Sequence, residues 1–421
     1  MKNAGVLLIS GIIISSIVSM AFCSDVNTVS FRPDESEKKQ LEEIRKNFQN
    51  SRNKNLIDAS CWTLIHCAEF NQIEEIDETM TMFAALISGE ELTDTNKAVG
   101  VVEFKRRIAQ LLKNDDIVVR GFGAITLGIT GDKAYSKDIA QLLRDKQKKA
   151  QGDSFDALFP NYDRSRAAMA LGLLGAEEYK KDLGNLLKSP DADDRAGATL
   201  GLGYMGAKEY IKDIAALLND EEDKVKVAAM MTLTDLGAKE YSNDIAKLLD
   251  SSGDQSVYET ACYCLARLDA RENAKDIAKL LGQEFRKGTA AKALAIMGAR
   301  EYAKDIAKLL DDRNSAVRHD AIVALGLLDA NEYADLVARH LKDEEEYVRP
   351  YAAFALLLMD ADNYASDIIK VVDSEGKGTA NVYLDLHSSI TKEEYINSVR
   401  AKAQKSFERM KKKQNTSTLP Q

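Results

Sequence analysis

The chain has 421 residues, of which 57 are basic and 67 acidic, so its formal net charge is -10. Only 5 residues are Pro and 7% are aromatic, a composition that favours a large all-helical protein over a sheet-rich one. Because a surface of this net charge repels nucleic acid, we expect no nucleic-acid partner.

The N-terminal segment, residues 1–21, has the features of a signal peptide or an N-terminal membrane anchor. An uncharged apolar run covers residues 4–22, and Ser19 and Ala21 are the small residues that a signal peptidase requires. We therefore expect export to the periplasm or the extracellular space after cleavage; a chain anchored in the membrane by the same run is the alternative. Cys23 resembles a lipoprotein cysteine, but the bulky residue before it does not fit that signal.

Residues 34–98 show helical periodicity without any repeated phrase. Apolar side chains recur at Leu41, Ile44 and Phe48, the spacing of one helix face. We expect an N-terminal helical cap that covers the first repeat of the following region.

Between residues 99 and 384 one amphipathic phrase recurs, for example GAKEYIKDIAALLND at 206–220 and GAREYAKDIAKLLDD at 298–312. The apolar residue inside each "DIAxLL" phrase defines a register mark, and the marks are Ile108, Ile139, Leu183, Ile214, Ile245, Ile277, Ile306, Val337 and Ile368. The successive gaps are 31, 44, 31, 31, 32, 29, 31 and 31 residues. This constancy predicts an all-α fold, an α-solenoid (superhelix) of about nine helical hairpins.

Each repeat contains two helical patterns separated by a short polar turn, and Gly206, Gly237 and Gly298 are placed to end a helix in the left-handed conformation. The consensus "LLxDxxxxVRxxAxxALGxLGA" resembles the HEAT repeat, most closely the short bacterial form named after phycobilin lyase subunits. The resemblance implies a ladder in which residues such as Arg318 and a turn aspartate hydrogen-bond between neighbouring repeats. Tyr258 and Lys287 depart from the pattern, so we expect the ladder to be interrupted around the fifth and sixth repeats.

The sequence offers no motif for a reaction. Glycine-rich phosphate loops, HExxH and nucleophile elbows are missing, and no CxxC pair occurs. HEAT-like deoxyhypusine hydroxylases bind iron through His-Glu pairs, whereas none of the four histidines here precedes Glu; they are His66, His319, His340 and His387. We therefore predict no enzyme activity, no catalytic residue, no cofactor and no metal.

Candidate partner-binding residues lie where the repetition fails. The 44-residue gap adds an insertion at 145–163, in which Phe155, Phe159 and Tyr162 either fold back on the repeats or meet a partner. A second candidate is a stripe two residues after the central Ala of each second helix, and its members are Ile125, Met169, Leu200, Met231, Tyr263, Lys292, Val323 and Phe354. Such a stripe is typical of the core between repeats, but it would also suit a peptide-binding groove, for which Met231, Tyr263 and Phe354 are the candidates.

Residues 385–421 are predicted to form a basic amphipathic helix followed by a disordered tail. From Lys392 to Lys413 there are 8 basic and 3 acidic residues, with apolar residues at helical spacing. A capping helix with a charged outer face is one interpretation; association with an anionic membrane, or with an acidic partner, is the other.

Two functions follow from these patterns. The first is an exported, non-catalytic scaffold that mediates protein or peptide interaction. The alternative is a chromophore-handling or lyase-type chaperone subunit, which rests on the resemblance to phycobilin lyase HEAT proteins alone.

Overall fold

The computed structural model describes five ranges of the chain. They are residues 101–114, 117–144, 162–250, 255–374 and 405–412. All regular secondary structure within these ranges is helical. The predicted signal segment, the N-terminal cap and residues 145–161 of the insertion lie outside the described residues. The chain divides into two compact units, Met1–Leu236 and Gly237–Gln421.

In unit 1 short and long helices alternate. They are α1 (Val101–Leu111), α2 (Ile117–Thr130), α3 (Ser136–Leu142), α4 (Tyr162–Leu173), α5 (Lys180–Leu186), α6 (Ala192–Tyr204), α7 (Ile211–Ala216) and α8 (Asp223–Asp235). The long helices α2, α4, α6 and α8 pack side by side in chain order, and each shorter helix packs on the long helix that follows it. This arrangement is a stack of helical hairpins.

Unit 2 repeats the same plan. Its helices are α9 (Ser242–Ala246), α10 (Gln255–Arg267), α11 (Ala274–Lys279), α12 (Lys287–Ile296), α13 (Ala303–Ala307), α14 (Ser315–Leu327), α15 (Ala334–Arg339), α16 (Val348–Leu358) and α17 (Ala365–Ser374). The long helices α10, α12, α14 and α16 pack in succession, and α17 packs on α16. Each short helix is lengthened by 3₁₀ turns, such as Arg300–Tyr302 before α13 and Lys308–Asp311 after it. The predicted all-α solenoid is confirmed in both units.

The core lies between the short and the long helices of successive hairpins. All nine register marks have 0% of their surface exposed. Burying an Ile or Leu side chain contributes about 1.5–3 kcal/mol, and one hairpin alone would leave these side chains in water. The recurrence of the phrase therefore reflects a packing requirement that every repeat shares.

Long helices end in a left-handed residue, which reverses the chain into the next hairpin. Gly206, Gly237 and Gly298 have φ angles of 68°, 72° and 65°, as predicted. Asp269 and Asp329 occupy the same place with φ angles of 48° and 53°. The amide that follows Gly206, Asp269, Gly298 and Asp329 then donates to a carbonyl five residues earlier, so that the last turn of the helix is satisfied.

The predicted ladder is present in both units. In unit 2, Nε and Nη2 of Arg318 donate to the Asp343 carboxylate at 3.0 and 2.7 Å, and Nη1 donates to the Asp312 carbonyl at 2.9 Å. Burial alone would raise the pKa of Asp343, but hydrogen bonds from Arg318 and His340 outweigh it and hold the pKa far below its usual value. In unit 1, Arg195 donates to Asp220 in the same way.

The expected interruption is correct at Tyr258 and wrong at Lys287. The Tyr258 hydroxyl donates to the Phe285 carbonyl at 2.9 Å and so replaces the ion pair of other repeats. Lys287 instead forms a salt bridge with Asp312, because its ammonium reaches the turn aspartate of the next hairpin as Arg318 does. Lysine therefore takes the place of arginine here, with a single ammonium charge where arginine has a planar guanidinium that donates two parallel hydrogen bonds.

The C-terminal helical residues 405–412 lie against the last hairpin of unit 2. Met410 is fully buried, and Nη2 of Arg409 is 2.9 Å from carboxylate oxygens of both Asp360 and Asp362. Ser406 also donates to Asp360. These contacts fit the capping interpretation of the basic segment, with one of its charges directed at the solenoid.

Candidate functional site on the long helices

The stripe on the long helices has buried, half-buried and exposed members. Ile125, Met169, Val323 and Phe354 are at most 5% exposed. Helix α16, which carries Phe354, packs against both α14 and α17, and the 2% exposure of this ring places it in the core. Phe354 therefore takes the core role that is typical of such a stripe, and its contact with a partner stays a prediction.

The other candidate residues differ in their surroundings. Met231 on α8 is 37% exposed, whereas Tyr263 on α10 is half-buried and its hydroxyl accepts a hydrogen bond from Arg267 at 2.9 Å. Tyr162 begins α4, and Phe155 and Phe159 lie outside the described residues. Met231 belongs to unit 1 and Tyr263 to unit 2.

A polar cluster in unit 2 connects three successive long helices. Nζ of Lys292 on α12 is 3.1 Å from Oδ1 of Asp320 on α14. Nδ1 of His319 lies 3.0 Å from the same oxygen, and the His319 ring stands edge-on to Tyr351 of α16, with ring centroids 4.1 Å apart. We name Lys292, His319, Asp320 and Tyr351 the polar cluster.

Local sequence explains why this carboxylate fits between the helices. A Cβ at Gly288 on α12 would clash with Oδ2 of Asp320, so the glycine leaves the space that the carboxylate needs. Burial alone would raise the pKa of Asp320, but the hydrogen bond with His319 and the charge of Lys292 hold it below its usual value. The cluster therefore contains an ionised carboxylate whose side chain is only 15% exposed.

The ionised carboxylate also orients the histidine. In the neutral imidazole, Nδ1 carries the proton and donates to Asp320, which leaves Nε2 as a hydrogen-bond acceptor. Within the described ranges, Nε2 of His319 has no hydrogen-bond partner, and the side chain is 19% exposed. The arrangement presents the Nε2 acceptor of His319 and the ammonium group of Lys292 near the surface of the repeats. These groups are suited to recognising a partner by hydrogen bonds.

The sequence-based candidates did not include this cluster as a site. His319 and Asp320 are neighbours in the sequence, but Lys292 and Tyr351 lie one repeat before and one repeat after them. The available signal was Lys292 itself, the single charged residue in an otherwise apolar or aromatic stripe. Aligning the repeats by register places Asp320 where neighbouring repeats carry Thr289 and Tyr351, and this comparison would have found the cluster.

Other chemistry on the described part of the chain is limited. No group of three or more His, Cys, Asp or Glu side chains there is arranged to hold a metal ion. Cys262 and Cys264 are free and buried, and burial raises the pKa of the Cys262 thiol to about 12, which makes it a poor nucleophile. None of the helices in the same ranges has the length and apolarity required to cross a bilayer.

Comparison with known proteins connects the polar cluster to a repeat family. Residues 283–357, which include all four cluster residues, match the family model of HEAT repeats. Among curated proteins none matches the sequence. Residues 283–357 are therefore HEAT repeats, as the consensus predicted.

Three solved structures resemble the chain at low identity. The complex of CpcE and CpcF of phycocyanin lyase from Nostoc sp. PCC7120 is 19% identical, with a TM-score of 0.36, covering 61% of this chain and 94% of that chain. An engineered protein is 18% identical, with a TM-score of 0.37, covering 88% of this chain and 99% of that chain. The YibA protein of Escherichia coli is 14% identical, with a TM-score of 0.38, covering 72% of this chain and 92% of that chain.

Proposed function

We propose that this chain of HEAT repeats is a non-catalytic scaffold, which binds a protein or peptide partner through the long-helix face of unit 2. The observation that carries the proposal is the polar cluster. Its charged groups occur once, whereas the buried register marks that stack the hairpins occur in every repeat.

The energetics of the cluster support a functional role. Replacing a buried ion pair by well-packed apolar residues is often neutral or stabilising, so packing alone does not explain the partly buried pair of Lys292 and Asp320. The equivalent stripe position carries apolar Val323 in the next repeat, and that side chain is 2% exposed. A fold selected for stability alone would favour the apolar solution here as well.

The test is affinity capture of partners from the native extract, with matched lysine variants. Lys292→Met removes the ammonium and keeps the aliphatic stem. Lys308→Met is the control, since Lys308 pairs with Asp305 at 2.7 Å on the short-helix side and is 68% exposed. We expect one partner to be retained by the wild type and the control and lost by the cluster variant.

Two outcomes contradict this proposal. In one, both lysine variants retain the partner equally well. In the other, the purified chain captures no protein at all and turns over a small-molecule substrate.

We further propose that the chain is exported and that residues 1–21 are removed. The apolar run and the small residues Ser19 and Ala21 support this localisation. The mass and the N-terminal residue of the mature protein, measured in separated cell fractions, test it. A mature protein that starts at Met1 in the cytoplasmic fraction contradicts it.

A further inference from the structure

Two exposed aromatic residues occupy the same position of the repeat in unit 2. Phe285 is 87% exposed and Tyr347 is 47% exposed. Each lies two residues before the ladder position, and Ala316, also exposed, occupies the equivalent place in the repeat between them. Because α12, α14 and α16 pack in succession, these three residues follow one edge of the stack, which we name the turn edge.

The turn that carries Phe285 is held from several directions. The Tyr258 hydroxyl donates to the Phe285 carbonyl at 2.9 Å, and burial raises the pKa of Tyr258 to about 12, which keeps this donor protonated. Arg286 stacks over the Tyr258 ring at 4.5 Å and donates to the Leu249 carbonyl at 2.6 Å. The loss of one ladder ion pair thus coincides with a fixed backbone under an exposed aromatic ring.

Tyr347 is also oriented by the structure. Its hydroxyl is 2.9 Å from Oγ of Ser315, and its ring centroid is 6.2 Å from that of His319, a member of the polar cluster. Aromatic side chains that are ordered before binding lose little conformational entropy on association, which is the property of interface hot spots. Tyr347 meets this condition, and at Phe285 it is the backbone that is held in place.

The surface around the turn edge carries an excess of negative charge. Its exposed carboxylates are Glu284, Asp311, Glu344, Glu345 and Glu346, and its exposed cations are Arg313 and Lys342. Within the described ranges Glu284, Asp311 and Glu345 form no ion pair, while Glu344 and Glu346 have only long contacts of 3.3 and 3.8 Å with arginines. An acidic surface with exposed aromatic faces favours lysine and arginine side chains.

We propose that the turn edge binds a basic, extended segment of a partner protein, with Phe285 and Tyr347 as its anchors and the small side chain of Ala316 between them. This inference rests on the proposed scaffold function and names the chemistry of the partner. Packed helices lie about 8–10 Å apart, so two repeats span roughly 16–20 Å, the length of about six extended residues. The segment is therefore short, and its cations alternate with apolar side chains that contact the two rings.

The experiment measures fluorescence anisotropy of the labelled peptide Gly-Lys-Leu-Lys-Ala-Lys-Leu-Lys-Gly with the purified full chain. A twin peptide with Glu in place of each Lys is the charge control. We expect the Lys peptide to bind at least about tenfold more tightly than the twin and to weaken as salt is added. Phe285→Ala and Tyr347→Ala are each expected to weaken binding at least about fivefold.

A matched pair of substitutions at Ala316 separates the effect of charge on binding from the effect of side-chain size. Ala316→Lys and Ala316→Glu add side chains of similar size, and only the lysine opposes a basic peptide. We expect Ala316→Lys to weaken binding at least about tenfold relative to Ala316→Glu. Circular dichroism melting of every variant verifies that the repeats are folded.

Several results would overturn the inference. They are no binding of the Lys peptide, equal weakening by the two Ala316 variants, or no effect of the two aromatic substitutions. A dimer that dissociates in Phe285→Ala would assign the edge to a second copy of the chain and would equally overturn it. If Lys292→Met still abolishes partner capture while the aromatic variants bind normally, the turn edge is refuted and the scaffold function stands.

Discussion

The ladder rung between Arg318 and Asp343 allows a quantitative test of what holds unit 2 together. Their side chains are 7% and 3% exposed. Replacing Arg318 by Leu keeps an aliphatic group but removes the donors to Asp343 and to the Asp312 carbonyl. Asp343 then remains buried, with His340 at 2.7 Å as its main side-chain partner.

The expected loss follows from this geometry. Breaking a buried ion pair by removing one partner costs about 3–5 kcal/mol, since the other charge stays buried without full compensation. Because His340 still contacts the carboxylate, we expect Arg318→Leu to lower the free energy of unfolding by about 3 kcal/mol. Lys308→Met breaks an exposed pair and is expected to cost at most about 0.5 kcal/mol.

Urea unfolding followed by far-UV circular dichroism measures both variants. The double variant Arg318→Leu/Asp343→Leu should recover part of the loss, because neither charge remains buried. A cost below about 1 kcal/mol for Arg318→Leu, in the range of surface pairs, would refute the view that the rung is an important stacking contact.

Three further predictions concern other parts of the fold. At Gly172 the backbone of α6 occupies the place of a Cβ, so Gly172→Ala should lower the free energy of unfolding by about 1–3 kcal/mol in thermal melts. Gly282 has open space around it, so Gly282→Ala should change that free energy by no more than about 0.5 kcal/mol, and equal losses would contradict the close helix contact. The folded-state pKa of Asp343 lies below the unfolded value of about 3.9, so the stabilisation from its ionised form is present at neutral pH and lost as the pH falls below about 5. On acidification the free energy of unfolding should therefore drop more steeply in the wild type than in Asp343→Asn, and parallel pH profiles would argue against the rung. Arg409→Gln should speed amide hydrogen exchange in the C-terminal helix, and unchanged protection would show that its two ion pairs do not hold this helix.

The solenoid was predictable because its requirement is local and periodic. Ile214, Ile245 and Ile277 recur at nearly constant spacing, and each must be buried for the same reason. The left-handed positions were predictable where glycine occupies them, as at Gly206, because glycine after a helix commonly adopts the left-handed conformation. At Asp329 the same conformation carries no such signal.

The candidate site was less predictable, because exposure depends on how successive repeats align. Met231 and Phe354 hold the same register position, yet one is 37% exposed and the other 2%. The packing around each residue decides this difference, and no residue type within the stripe encodes it. Lys287 likewise reaches Asp312 only because adjacent hairpins stack in register.

Periodicity in the sequence determined that this chain stacks helical hairpins, since apolar residues repeated about every 31 positions are buried only when neighbouring repeats pack on one another. The tertiary structure alone decided which single-copy residues meet. Lys292, His319, Asp320 and Tyr351 come from three hairpins and lie together because side chains one repeat apart in register become neighbours only when the helices pack. That contact across repeats is a property of the stack and of no single segment of the chain.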